Sequence, residues 1–524
     1  MAQGQQYAFR IYFKDKNNTS YDLNNPSAFL SQRSIDRRIK FNIPIDSSDL
    51  PVNESYVSTI LQSTNGAIRV NSRWHNTMVL IVSDTSTIQG LNQFPFFKSS
   101  KLVAVFDQNN PLRNPNNERP TSVPGDEDYY GNAWQQLNLC NGDYLHEKGF
   151  MGNGLRIAVI DVGFKGLETV AAFDSLRNQN RIIDFWNYTK NNTDYAYTDH
   201  GTKVLSCMAA NLPDEFVGTA PNAEYVLYIT DDYDTEQTIE EDYWTAAAEK
   251  ADSLGVDLIS SSLGYNYFDQ NENSYTYQDL DGKTTYLAQT SNAAVRKGIM
   301  TVNSAGNEGN SSWHYILTPG DADSALTIGS VNQLKNPAMS SGWGPNAANK
   351  RKPEVVGLGQ GAGIIDEYGN STTGNGTSYA TPIIAGLTAC LMQARPDLKP
   401  LEIKDYICSV SDHFLNPDDK IGFGVPDFKL ALDLVTSVAE PKIQDKQVLV
   451  FPNPSKEVLF LQLKSDLKPL SIAITDISGK TIYPSSVTYQ NAGLLKINTS
   501  DLLSGIYFLN IQFKDFVFRE KFVH

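Results

Sequence analysis

The stretch that leaves this chain the fewest options begins at Asn375. Asn375-Gly376-Thr377-Ser378-Tyr379-Ala380-Thr381-Pro382 is a glycine-containing loop running into an apolar segment, where Ala380, Ile383, Ile384, Leu387 and Leu391 recur at helical spacing. That pattern predicts a buried helix through about Ala394. Ser378 falls on its first turn, where unpaired backbone N–H groups and a partial positive charge favour negative charge developing beside the hydroxyl. Pro382 is tolerated early in a helix, since some N–H groups there lack partners anyway. Taken alone, Gly-Thr-Ser is an ordinary helix cap.

A serine hydroxyl becomes a nucleophile only when a base takes its proton, and the base needs a group that fixes its tautomer and stabilises its charged form. The chain has six histidines. One of them, His200, stands in Thr198-Asp199-His200-Gly201-Thr202-Lys203-Val204, ahead of a small-residue helix through Ala209. Earlier, Leu155-Arg156-Ile157-Ala158-Val159-Ile160-Asp161 reads as an apolar strand ending in a carboxylate. Functional residues of open α/β sheets gather at the carboxyl ends of parallel strands, which suits Asp161. Each motif by itself also fits a capping aspartate or a satisfied core histidine.

Together, AVIDVG, DHGTKV, SAGNEG and GTSYATP resemble the subtilisin-like serine proteases, the subtilases, and their order Asp, His, Ser is the one known for subtilisin. The resemblance implies Asp161 as the orienting acid, His200 as general base and then acid, Ser378 as nucleophile, and Asn307 as a side-chain donor to the oxyanion. It also implies that Ser262, Leu263 and Gly264 pair with an extended substrate backbone, with Ser304, Ala305 and Gly306 lining the pocket opposite. Two departures stand out. The first motif reads Asp-Val-Gly where Asp-Thr-Gly is more usual, and Ile383 stands where many members carry a histidine.

At 524 residues the chain is too long for one ordinary core. Its 43 basic and 59 acidic side chains give a net charge of −16, which argues against a nucleic-acid partner. No run approaches the roughly 18 apolar residues of a membrane span. The start Met-Ala-Gln-Gly-Gln-Gln lacks the features of a signal peptide, so export would require a leader already removed. Cys140, Cys207, Cys390 and Cys408 are too sparse for a disulfide scaffold and fit no zinc spacing; Cys207 and Cys390 are expected to be small core residues.

Residues 7–107 read as strand, helix, two strands, helix, strand, the order of a ferredoxin-like α+β domain. Pro26 to Lys40 is expected to be one helix, with Arg33, Arg37, Arg38 and Lys40 on a polar side that either is solvated, the reading preferred here, or faces the acidic domain that follows. By resemblance this domain is a propeptide that assists folding and acts as an intramolecular inhibitor. Residues 108–128 form a Pro- and Asn-rich linker, where maturation cleavage would fall. From 129 to 437, strands near 157–160, 223–229, 256–260, 299–303 and 326–329 alternate with helices near 238–254 and 284–297. That alternation predicts an α/β domain with a parallel sheet covered on both faces.

Asp231-Asp232-Tyr233-Asp234-Thr235-Glu236 is either a solvated loop or an acidic subsite for basic substrate residues. No cofactor is needed for the chemistry. Structural calcium is common among subtilases, but no spaced carboxylate loop here marks a site. Residues 443–524 carry seven short apolar or alternating runs, which predict a β-sandwich. Its FPNP, Asp476-Ile477-Ser478-Gly479-Lys480 and Leu503-Ser504-Gly505-Ile506-Tyr507 resemble the C-terminal sorting domains of Bacteroidetes type IX secretion cargo. The resemblances imply a secreted or cell-surface serine endopeptidase made as a zymogen, acting on polypeptides and addressed to a secretion machinery. A catalytically weak or inactive binding or adhesion protein is the alternative.

Overall fold

The computed structural model describes residues 5–106, 129–195, 198–414 and 416–436, and between 448 and 524 all but 453, 464–467, 477–479, 483, 485, 490–493 and 514–516. The expected linker at 108–128, the boundary at 437–443 and positions 477–479 lie outside the described residues.

The central sheet is all parallel, in the order Val355–Leu358, Leu326–Val331, Met300–Ser304, Leu258–Ser261, Arg156–Asp161, Glu224–Ile229, Ile182–Asn187. Apart from the half-buried edge strand Ile182–Asn187, its strands are buried on both sides, because successive side chains point to opposite faces and helices cover each face. Ile157 and Val159 enter one hydrophobic cluster with the helices His200–Ala209 and Thr377–Ala394. Ala158 and Ile160 enter another with the helices Ile239–Ser253 and Tyr286–Arg296. The five expected strands are present within a few residues of their expected ends. The two edge strands, Ile182–Asn187 and Val355–Leu358, had no counterpart in the sequence reading. All four cysteines are buried and free, and the Cys390 thiol sits 3.2 Å from the carbonyl of Thr219.

The N-terminal sheet is antiparallel in the order Ala67–Ser72, Thr77–Val82, Gln6–Phe13, Phe97–Phe106. With the helix Glu54–Thr64 between its first two strands and the 3-10 helix Thr85–Gln93 before its last, whose Ile60, Ile88 and Leu91 pack on it, it makes the expected ferredoxin-like arrangement. The single helix expected from Pro26 to Lys40 is divided into a 3-10 turn, Pro26–Ala28, and an α-helix, Gln32–Phe41, that Ser31 caps through the Ser34 N–H at 3.3 Å. Lys40 is exposed and Arg33 half-buried, but the rest of its basic side is not solvated. Arg37 and Arg38 are 4% and 1% exposed, turned onto the central domain, where both reach Asp252. Arg73 reaches the same carboxylate at 2.6 Å, and Arg10 grips Asp242 through two hydrogen bonds of 2.6 Å. Ala8, Val79, Val103 and Ala104 pack against Ile239 and Tyr243 beside these pairs.

In the C-terminal region, one four-stranded sheet runs Val448–Phe451, Val458–Leu463, Leu494–Asn498, Val487–Tyr489. The other runs Thr481–Ile482, Ser471–Asp476, Ile506–Gln512, Val517–Val523. Leu459, Leu461, Leu495 and Ile497 of the first meet Ile474, Leu509, Ile511 and Phe522 of the second in a single core. Val487–Tyr489 is the strand the sequence reading passed over.

Candidate active site

Asp161 ends the strand Arg156–Asp161 and is fully buried. Its Oδ1 accepts from the Val162 N–H at 2.8 Å and from His200 Nδ1 at 2.6 Å. A carboxylate only accepts, so Nδ1 carries the proton and Nε2 keeps the lone pair of a base. Burial by itself pushes the His200 pKa down, but the charge and hydrogen bond of Asp161 override it, and the net direction is upward. The approach is close because both loops carry glycine. The Gly201 N–H donates to the Gly163 carbonyl at 2.7 Å, and a Cβ on Gly201 would meet that oxygen at 2.5 Å.

Ser378 is the second residue of the helix Thr377–Ala394, which packs against the His200 helix. The ring of neighbouring Tyr379 lies 6.1 Å, centroid to centroid, from the His200 ring. The Ser378 hydroxyl donates to the Ser262 carbonyl at 3.4 Å and makes no hydrogen bond to His200. Pro382 has no N–H to offer the Ser378 carbonyl four residues earlier, and Ser262 Oγ takes that place at 2.9 Å. Gly376 sits at φ +139, where an L side chain is strained.

Asn307 is fixed by its carbonyl end: Oδ1 accepts from the Thr377 N–H at 2.9 Å and from Thr377 Oγ1 at 3.1 Å. That leaves its NH2 end to donate beside Ser378. Ile383, at the position where a histidine is common, is completely buried in the core.

The Subtilase family profile matches residues 152–424, just over half of the chain, and takes in all four of these residues. The chain belongs to the subtilase family. Residues 8–120 match the Peptidase S8 propeptide domain of Bacteroidota, and residues 449–524 match the Secretion system C-terminal sorting domain. Serine protease AprX of Bacillus subtilis (strain 168) is 27% identical over 301 residues, covering 52% of this chain and 64% of AprX. Subtilisin E of the same organism is 27% identical over 311 residues, covering 57% of this chain and 72% of the relative. Subtilisin DY of Bacillus licheniformis is 26% identical over 279 residues, covering 52% and 90%.

In this subtilase, Ser262-Leu263-Gly264 and Ser304-Ala305-Gly306 follow neighbouring parallel strands, and Ser304 Oγ donates to the Leu263 carbonyl at 3.3 Å. Leu317 was not foreseen. It bridges these two segments: its N–H donates to the Ala305 carbonyl at 3.1 Å, and next to it Thr318 exchanges backbone hydrogen bonds with Tyr265. A Cβ on Gly264 or Gly306 would come within 2.9 or 2.6 Å of the Leu317 side chain, so this leucine fills the space between them. Nothing in its local sequence marks it, because the contact is made only when residue 317 folds back across positions 264 and 306.

The 231–236 loop is half-buried rather than freely solvated. Burial, then the charges of Asp161 and Asp232, push Asp231 up to about 7. Burial, then Asp231 and Asp269, push Glu236 up to about 9, and Glu240 on the adjoining helix is raised by burial and Asp231. Among the described residues, no helix is long and apolar enough to cross a membrane.

Proposed function

We propose that the chain is a secreted serine endopeptidase, made as a zymogen, that cuts extended polypeptides through an acyl-enzyme. The observation that carries this reading is the 2.6 Å contact between His200 Nδ1 and buried Asp161, beside the helix turn that bears Ser378. His200 Nε2 takes the Ser378 proton as Oγ attacks the carbonyl carbon. The Asn307 amide and the Ser378 N–H at the helix start receive the oxyanion. His200 then protonates the leaving amine and later activates the water that releases the acyl group. Leu317 limits the residue before the scissile bond to a small side chain.

The N-terminal domain acts as intramolecular inhibitor, and the C-terminal sandwich as the export address. A second reading, an inactive binding protein, draws on the Ser378 hydroxyl facing Ser262 rather than His200. Fluorophosphonate labelling separates the two. The wild type, after maturation, is expected to label and the Ser378→Ala variant is not, with peptide hydrolysis falling by roughly 10,000-fold or more. An unlabelled mature wild type, or a tenfold loss or less in the variant, rejects the peptidase reading.

A further inference from the structure

We infer that Asp231, Glu236 and Glu240 hold one divalent cation of calcium size beside the Asp161–His200 pair. Asp231 lies just past the strand Glu224–Ile229, Glu236 in the following loop, and Glu240 in the first turn of the helix Ile239–Ser253. One oxygen from each lies within 4.8 Å of the others. Two ligands of one calcium ion, each roughly 2.3–2.6 Å from it, are at most about 5 Å apart, so the three oxygens fit a single coordination sphere. The linear spacing follows no calcium-loop pattern, which is why the sequence shows no sign of the site.

Two buried groups with unspent hydrogen-bonding capacity point the same way. Glu240 is 1% exposed; one of its oxygens accepts from the Asp232 N–H at 3.1 Å, its carboxyl lies within hydrogen-bond reach of the Asp231 carboxyl, and its buried Oε2 meets no N–H or hydroxyl donor. The Tyr265 hydroxyl, on a residue also 1% exposed, has no partner either, and it lies in the field of Asp231, Glu240 and Glu236. A buried carboxylate oxygen left unpaired is costly, and it is ordinarily met by a donor or a metal. Among the described residues, no lysine, arginine or histidine forms an ion pair with any of the three. The donor set is entirely oxygen, the choice of a hard cation, and the half-buried sides of Asp231 and Glu236 leave room for water to complete the shell.

The test uses full-length Ser378→Ala protein, so that it does not depend on peptidase activity. After treatment with chelator it is titrated with calcium, and separately with terbium, whose emission nearby tyrosines sensitise. The expected result is an equivalent of bound metal that Asp231→Asn and Glu240→Gln each weaken by roughly tenfold or more. The calcium-dependent rise in Tm is lost in the same variants. If Glu240→Gln does not fold, Glu236→Gln at its half-exposed position carries the same expectation. A parent protein that binds no calcium or terbium overturns the inference and leaves the carboxyls sharing protons or awaiting a basic substrate side chain. Unchanged affinity and stoichiometry in every folded variant overturns it too.

Discussion

The helix Ile239–Ser253 carries two groups of acidic residues in opposite circumstances. Near its end, Asp252 is met by Arg37, Arg38 and Arg73, and Glu249 accepts from Ser72 Oγ at 2.6 Å and from the Arg73 and Trp74 N–H groups at 2.8 and 2.9 Å. At its start, Glu240 keeps a buried oxygen that meets no N–H or hydroxyl donor. The paired carboxylates are satisfied entirely by the N-terminal domain. Saturated charges hold domains together, whereas the groups around the active site, including the NH2 of Asn307 and the lone pair of His200, keep bonding capacity in reserve. If that division is right, changes at the paired set should cost stability and leave chemistry alone, and changes at the unsaturated set should do the reverse.

The sharpest trial of the paired set is Asp252→Ala, which removes the carboxylate shared by three buried guanidinium groups and leaves only Arg38 a second carboxylate, Asp49. Denaturant unfolding of the full chain in the Ser378→Ala background is expected to show a loss of about 3–5 kcal/mol. A loss below about 1 kcal/mol would erase the distinction. On the unsaturated side, Asn307→Ala is expected to lower kcat by roughly 100- to 1000-fold with little change in Tm, since its amide has work to do only in the transition state. A large fall in Tm would move Asn307 into the structural set. Leu317→Gly should raise the preference for a large over a small residue before the scissile bond, measured as a ratio of kcat/KM values, by roughly 10- to 200-fold. An unchanged ratio would mean that the restriction lies elsewhere.

The smallest effect is a pH dependence of docking. His75, stacked on Tyr286 and bonded to Thr290 Oγ1 at 2.8 Å, has its pKa pushed down to about 3 by burial first and then by Arg10 and Arg296. Once the domains separate, the ring returns toward 6.5 and binds a proton that the docked ring refuses. The stability of docking that depends on this ring is therefore complete above about pH 6.5 and is lost progressively as pH falls toward 3. Release of the N-terminal domain from cleaved protein should accelerate over that window, and His75→Gln should flatten the response. An identical profile in the variant would clear His75 of any part in it.

Much of this was legible in the chain because it is written locally. The strand Arg156–Asp161 and the helix Thr377–Ala394 announce themselves by apolar runs, and each delivers its functional residue at a terminus. The edge strand Ile182–Asn187 escaped notice because Asp184 and Asn187 break its apolar pattern. The basic helix was read as solvated because Asp252, the acid that Arg37 and Arg38 share, lies more than two hundred positions away. The Leu317 contact and the 231, 236, 240 cluster share that cause: both exist only after distant or irregularly spaced segments are brought together.

The absence of an N–H at Pro382 ties the peptide group of Ser378 to the side chain of Ser262, the first residue of the segment proposed to pair with substrate. Were a peptide to pair with that segment as proposed, it would lie against the same residue that holds the Ser378 carbonyl.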